Sequence, residues 1–209
     1  MALFRAITAE EESASAIFWA LKRRKYHGAD KLNPRDHTQK NGVTPFTWAV
    51  RKVLSLFDEE TFKPQLVVDR TQREPKLWIQ FRVVHPQNGP TFAKLDRPLN
   101  FNLELNGEVY DFVAEIERLA KSRKFATALK LMSDRANQRN RMLYASERGV
   151  PNFAGDLDIA LRQRREHTFR NLVFFLLVDQ YPGEQLFARQ LLDGFLKVLK
   201  RLPDDGTTG

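Results

Sequence analysis

Apolar residues recur at helical spacing in two stretches of the N-terminal half. The first follows Thr8–Glu11, whose sequence TAEE is a capping box and predicts a helix that starts at Thr8. Gly28 predicts the end of this helix. Thr44 and Pro45 then predict the N-cap and first residue of a second helix. The polar, turn-rich residues 31–42 between them predict a loop.

The spacing changes to a period of two after residue 63, which is typical of strands. Apolar and polar positions alternate over Leu77–Val84 and again over Leu99–Leu105, and Leu66–Asp69 predicts a short third strand. Asn88, Gly89 and Pro90 predict a turn between the two longer strands. The sequence therefore predicts a small antiparallel sheet.

Helical spacing returns after residue 107 and continues almost to the C-terminus. The apolar stripes predict helices over 109–120, 125–143, 156–181 and 187–199. Together these patterns predict an α+β protein with a C-terminal four-helix bundle, an N-terminal helical segment and a small antiparallel β-sheet. The predicted division is residues 1–106, residues 107–202 and a flexible tail over 203–209. Whether the N-terminal part forms its own lobe or completes the core of the bundle stays open.

Composition narrows the classes of function. The 209-residue chain has no cysteine, which excludes disulfides and cysteine-based redox or metal chemistry, and its longest apolar run, Leu172–Val178, is too short to cross a bilayer. We expect a cytoplasmic protein. Of the net charge of +8, an excess of six positive charges lies between Glu115 and Arg170. This regional basicity predicts a phosphate-rich partner.

Arg162 and His167 are the candidate catalytic residues, on a predicted helix of the basic region. A histidine can take a proton from a ribose 2′-OH, and an arginine can offset the charge that builds on phosphate oxygens. A single histidine cannot easily serve as both base and acid, so this hypothesis requires a symmetric homodimer. The alternative is that His167 is a helix-packing residue and the arginines form a solvated face.

Four helices with an Arg-x4-His sequence on the third resemble the HEPN superfamily over roughly Val109–Arg201. Members of that superfamily include RNases of toxin–antitoxin and abortive-infection systems, in which an R-x4-6-H motif forms the RNase centre at a dimer interface. The resemblance implies that Arg162 and His167 form such a centre, and it is the basis for an expected role in defence. Gln163 departs from the Asn, Asp or His that often follows the arginine.

Further basic residues are candidates for contacts with nucleic acid. Arginines can bind phosphates while an aromatic ring stacks on a base. The predicted nucleic-acid-binding residues are Arg135, Arg139, Arg141, Tyr144, Arg164 and Arg165. The alternative for Tyr144 is ordinary packing at the edge of a helix.

The sequence predicts no metal site and no cofactor. The four histidines are scattered and match no ligand spacing, although Asp36 and His37 are adjacent. Glycine-rich phosphate-binding motifs are absent.

The sequence therefore leaves two functions open. One is an RNA-binding protein that acts as a metal-independent endoribonuclease. The other is a non-catalytic binding or scaffold module for a protein or nucleic-acid partner.

Overall fold

The computed structural model describes residues 2–55, 64–71, 73–85, 89–105, 107–123, 127 and 155–200. These ranges form an α+β fold with mostly helical content, which confirms the predicted class in its coarse form. The helices are α1 (Ala2–Arg23), α2 (His37–Leu54), α3 (Phe112–Ala120), α4 (Leu157–Asp179) and α5 (Leu186–Leu199), with a short 3-10 helix over Ala29–Lys31. The strands are β1 (Pro64–Asp69), β2 (Lys76–His85), β3 (Gly89–Lys94), β4 (Glu104–Leu105) and β5 (Glu108–Val109).

Both N-terminal helices begin earlier than the sequence predicts. Helix α1 starts at Ala2, so Thr8 lies in its second turn and the predicted capping box is wrong. Helix α2 starts at His37, because the Asp36 carboxylate accepts hydrogen bonds from the backbone N–H groups of the first turn at 2.8 and 3.2 Å. Pro45 lies inside α2, where it costs one backbone hydrogen bond. The predicted loop therefore ends at Asp36.

The main sheet is antiparallel with the order β1-β2-β3, and Leu66 pairs with Ile79 in its register. The short third strand predicted at Leu66–Asp69 is confirmed as part of β1. The predicted strand Leu99–Leu105 is wrong except for its last two residues, which pair with β5. Its alternation has another cause: Leu99 and Leu103 are buried in the helical core and Phe101 packs against it, whereas Asn102 is exposed.

One hydrophobic core joins the helices on both sides of the sheet segment. Its central aromatic contacts are Phe18 and Phe46 against Phe195, at ring distances of 5.8 and 5.2 Å, and Phe112 against Phe187 at 5.4 Å. Helix α1 packs along α4, and α3 packs on α5. The core therefore takes side chains from both sides of residue 106 and does not follow the predicted boundary there.

Three of the four predicted C-terminal helices are present as α3, α4 and α5. Apart from residue 127, the fourth, over 125–143, lies outside the described residues, as does the predicted tail over 203–209. A C-terminal four-helix bundle is therefore not confirmed. Within the described ranges, no helix is both long enough and apolar enough to span a membrane.

Gln185 joins α4, α5 and the segment that enters the core at Leu99. Its side chain is fully buried. The Oε1 atom accepts from the Leu99 N–H and the Nε2 atom donates to the Leu177 carbonyl, both at 2.8 Å. The Gln185 N–H donates to the Tyr26 hydroxyl at 3.1 Å. Because buried backbone groups need hydrogen-bond partners, this glutamine fixes the direction in which the chain passes from α4 into α5.

Candidate functional site

Helix α4 carries the Arg-x4-His sequence and presents two different faces. His167 lies five positions after Arg162, so their side chains leave the helix about 140° apart. Arg162 is exposed, whereas His167 is half-buried against α1. Within one chain the two candidate catalytic residues therefore lie on different faces of α4.

The inward face of α4 meets a buried carboxylate, Glu10 of α1, which is only 6% exposed. The Arg164 Nη1 atom donates to Glu10 Oε2 at 2.6 Å, and the His167 Nδ1 atom lies 3.3 Å from Glu10 Oε1. The Thr44 hydroxyl of α2 also donates to Glu10. We name these four residues, Glu10, Thr44, Arg164 and His167, the Glu10 cluster. It ties α1, α2 and α4 together through charge-assisted contacts.

Opposing effects set the ionisation of Glu10. Burial raises its pKa, but His167, Arg164 and Thr44 outweigh this effect and lower the pKa to about 2 from an ordinary value of 4.5. Glu10 is therefore ionised at neutral pH. A carboxylate held in this way can orient the imidazole of His167, which keeps 23% of its side chain exposed.

A second carboxylate, Glu11, is buried beside the first. The His37 Nδ1 atom lies 3.1 Å from Glu11 Oε2, and the Lys40 Nζ atom lies 3.8 Å from the same oxygen. Lys40 is itself only 7% exposed, which is unusual for lysine unless it is paired. Asp36 and His37, the adjacent pair in the sequence, have other contacts here: Asp36 caps α2 and His37 lies against Glu11.

Sequence reasoning missed both carboxylates, although a signal existed. Glu10 and Glu11 follow Ile7 at spacings of three and four, and Ala14 and Phe18 continue the same stripe at spacings of seven and eleven. The two acidic residues therefore occupy core positions of α1. A charge on an apolar stripe predicts a buried partner.

The outer face of α4 has a different character. We define it as Arg162, Arg165, Phe169, Leu172 and Leu176, which share one side of the helix at spacings of three and four. All five are exposed, and Phe169 is 63% exposed. Neither arginine forms an ion pair within the described ranges. This face combines exposed positive charge with an exposed aromatic ring.

The structure places the predicted nucleic-acid contacts in three groups. Arg165 lies with Arg162 on the outer face of α4. Arg164 is turned inward and paired with Glu10. The other four predicted residues lie outside the described residues: Arg135, Arg139, Arg141 and Tyr144.

Comparison with protein-family models, curated proteins and solved structures finds no match to this chain.

Proposed function

We propose that this protein binds nucleic acid, with RNA as the preferred class, through the outer face of α4. One observation carries the proposal: Arg162 and Arg165 are exposed and without ion pairs in the described part of the chain, on the same side of the helix as the exposed ring of Phe169. Arginines bind backbone phosphates, and an exposed aromatic ring stacks on an unpaired base.

The net charge supports this reading. A net charge of +8 favours association with polyanions, and α4 itself carries four arginines against three acidic residues. An exposed phenylalanine next to arginines is better suited to single strands than to a duplex, whose bases are already stacked. We therefore expect unpaired RNA to bind more tightly than double-stranded RNA.

Salt-dependent binding of the full chain to a labelled single-stranded RNA tests the proposal. Replacing Arg162 and Arg165 together by alanine should weaken binding about tenfold at low salt and reduce the slope of log K against log salt by about 1.4, because each lost phosphate contact removes about 0.7. The Phe169→Ala variant should weaken binding at least fivefold and leave the slope unchanged. The matched control is Arg51→Ala with Lys52→Ala, which removes two exposed charges from α2.

Equal weakening in the α4 and α2 double variants would contradict the proposal, since it would reflect net charge alone. The absence of binding even at low salt would reject nucleic acid as the partner. It would favour the alternative of a scaffold for a protein partner.

A second candidate function is a metal-independent endoribonuclease of the HEPN type, acting as a homodimer in a defence or toxin–antitoxin system. The observation that favours it is the position of the His167 Nδ1 atom 3.3 Å from the ionised Glu10, a negative charge that would stabilise the imidazolium formed when the histidine acts as a base. Because Arg162 leaves α4 on another face, this reaction needs Arg162 from a second copy of the chain. The imidazole would take the 2′-OH proton as the oxygen attacks the adjacent phosphate, and the arginine would stabilise the charge on the phosphate oxygens. The P–O5′ bond would break to leave a 2′,3′-cyclic phosphate, and the departing 5′-oxygen would take its proton from water, so that each shared site needs only one His167.

Complementation between variants tests this shared site. RNA cleavage in EDTA should be lost in Arg162→Ala and in His167→Ala, while the exposed His27→Ala control stays active. Mixing the two inactive variants should restore about a quarter of the activity, because half of the dimers are mixed and each mixed dimer has one intact site. Persistent cleavage in both variants, or no recovery after subunit exchange, would reject the shared site.

A further inference from the structure

A cavity of about 150 Å³ lies between α1, α2, α4 and α5, apart from both faces of α4 discussed above. Its described lining is mostly aliphatic and aromatic. The lining residues used below are Phe18, Thr47, Val50, Arg170, Ala188 and Leu192.

The cavity has an apolar floor and a more open rim. Phe18, Ala188 and Leu192 form the floor and are almost completely buried. Thr47 and Val50 lie at the rim and are half-buried. The Thr47 hydroxyl donates to the Val43 carbonyl within α2 at 2.9 Å, so it is already used inside its own helix.

Water is a poor occupant of such a space. A buried water needs two to four polar partners, and the described wall offers few. An unfilled apolar space also leaves its lining atoms without dispersion partners on one side. A ligand that fills the space supplies the missing dispersion contacts without displacing well-bound water.

We propose that this cavity is a binding site for a small apolar molecule about the size of a substituted benzene ring. The volume and the apolar floor are the argument for this class, because an enclosed apolar cavity of about 150 Å³ binds benzene, and this cavity offers a similar volume and an apolar floor below its open rim. A short substituent on the ring would extend out of the cavity past the rim, beside Arg170. The guanidinium of Arg170 forms an exposed ion pair with Glu166 at 3.1 Å. The site is independent of nucleic-acid binding.

The site is tested by titrating the full chain with benzene and with indole. The readout is the NMR signal of the side-chain methyl groups of Ile17, Val43 and Leu191, which line the cavity. We expect saturable shifts at these methyl groups and a rise in the unfolding temperature with ligand concentration. The Ala188→Leu variant places extra atoms in the cavity and should weaken binding at least tenfold. The matched control is Ala9→Leu on the exposed side of α1, which should bind as the wild type does.

A second filling variant, Val50→Phe, acts from the half-buried rim, where a larger side chain is easier to accommodate than on the floor. It should also weaken binding at least tenfold if the ligand occupies this cavity. The absence of saturable methyl shifts in the wild type would overturn the proposal. Unchanged affinity in whichever filling variant folds would overturn it as well.

Discussion

Replacing Glu10 by glutamine removes the charge at the centre of the Glu10 cluster and keeps the size of the side chain. In the folded protein this carboxylate is buried and contacts Arg164, His167 and Thr44, which together hold its pKa at about 2. In the unfolded chain its pKa returns to the ordinary value of 4.5. The difference measures how much more strongly the folded state favours the ionised form.

The size of the effect follows from this difference. A shift from 4.5 to about 2 corresponds to about 3 kcal/mol in the free energy of unfolding. Because the folded pKa is the lower one, the stabilisation is fully present above pH 4.5 and is lost as the pH falls towards 2. More than half of it should be gone by pH 3. Glu10→Gln should therefore cost about 3 kcal/mol at pH 7 and much less at pH 3.

Urea unfolding of both proteins at several pH values between 7 and 3 measures this change. The matched control is Glu12→Gln, an exposed position on the same helix, for which we expect less than about 0.5 kcal/mol at every pH. A cost for Glu10→Gln no larger than that of the control would refute the reasoning. So would a cost at pH 7 that does not decrease towards pH 3.

Three other predictions concern the packing around α5. Gln185→Ala should destabilise the protein by about 2–4 kcal/mol in urea unfolding, because it leaves the Leu99 N–H and the Leu177 carbonyl buried without their partner; a loss below about 1 kcal/mol would contradict this. Gly28→Ala should destabilise by about 1 kcal/mol or more, since Gly28 has φ +83° and an added Cβ would lie 3.1 Å from a side chain. Gly194→Ala should stabilise by about 0.5–1 kcal/mol, because that position is helical and an added Cβ meets nothing closer than 3.4 Å. If both glycine substitutions shifted the unfolding temperature in the same direction, local backbone geometry would not decide these effects.

Part of the candidate site follows from local pattern, and part does not. The Arg-x4-His sequence and its helix are visible in the sequence, and the spacing alone places Arg162 and His167 on different faces. The role of Glu10 is not visible in this way. Its contacts join residues 34 and 154 positions away along the chain, so only packing of α1 against α2 and α4 reveals them.

The fold, too, was only partly predictable from the sequence. Helical periodicity identified α3, α4 and α5, and alternation identified β2, because these patterns reflect burial of one face. Alternation misled at Leu99–Leu103, since an extended loop that enters a core buries every second residue as a strand does. Helix starts were also misplaced, because Asp36 and Thr44 are both acceptable caps by residue type.

The sequence by itself determined the class of the protein, its main helices, its lack of cysteine chemistry and the basic region between Glu115 and Arg170. These properties depend on composition and on contacts between residues close in the chain. Only the tertiary structure decided that Arg164 pairs with a buried carboxylate while Arg162 and Arg165 stay exposed. Three neighbouring arginines look alike in sequence, and the environment that distinguishes them comes from a helix more than 140 residues away.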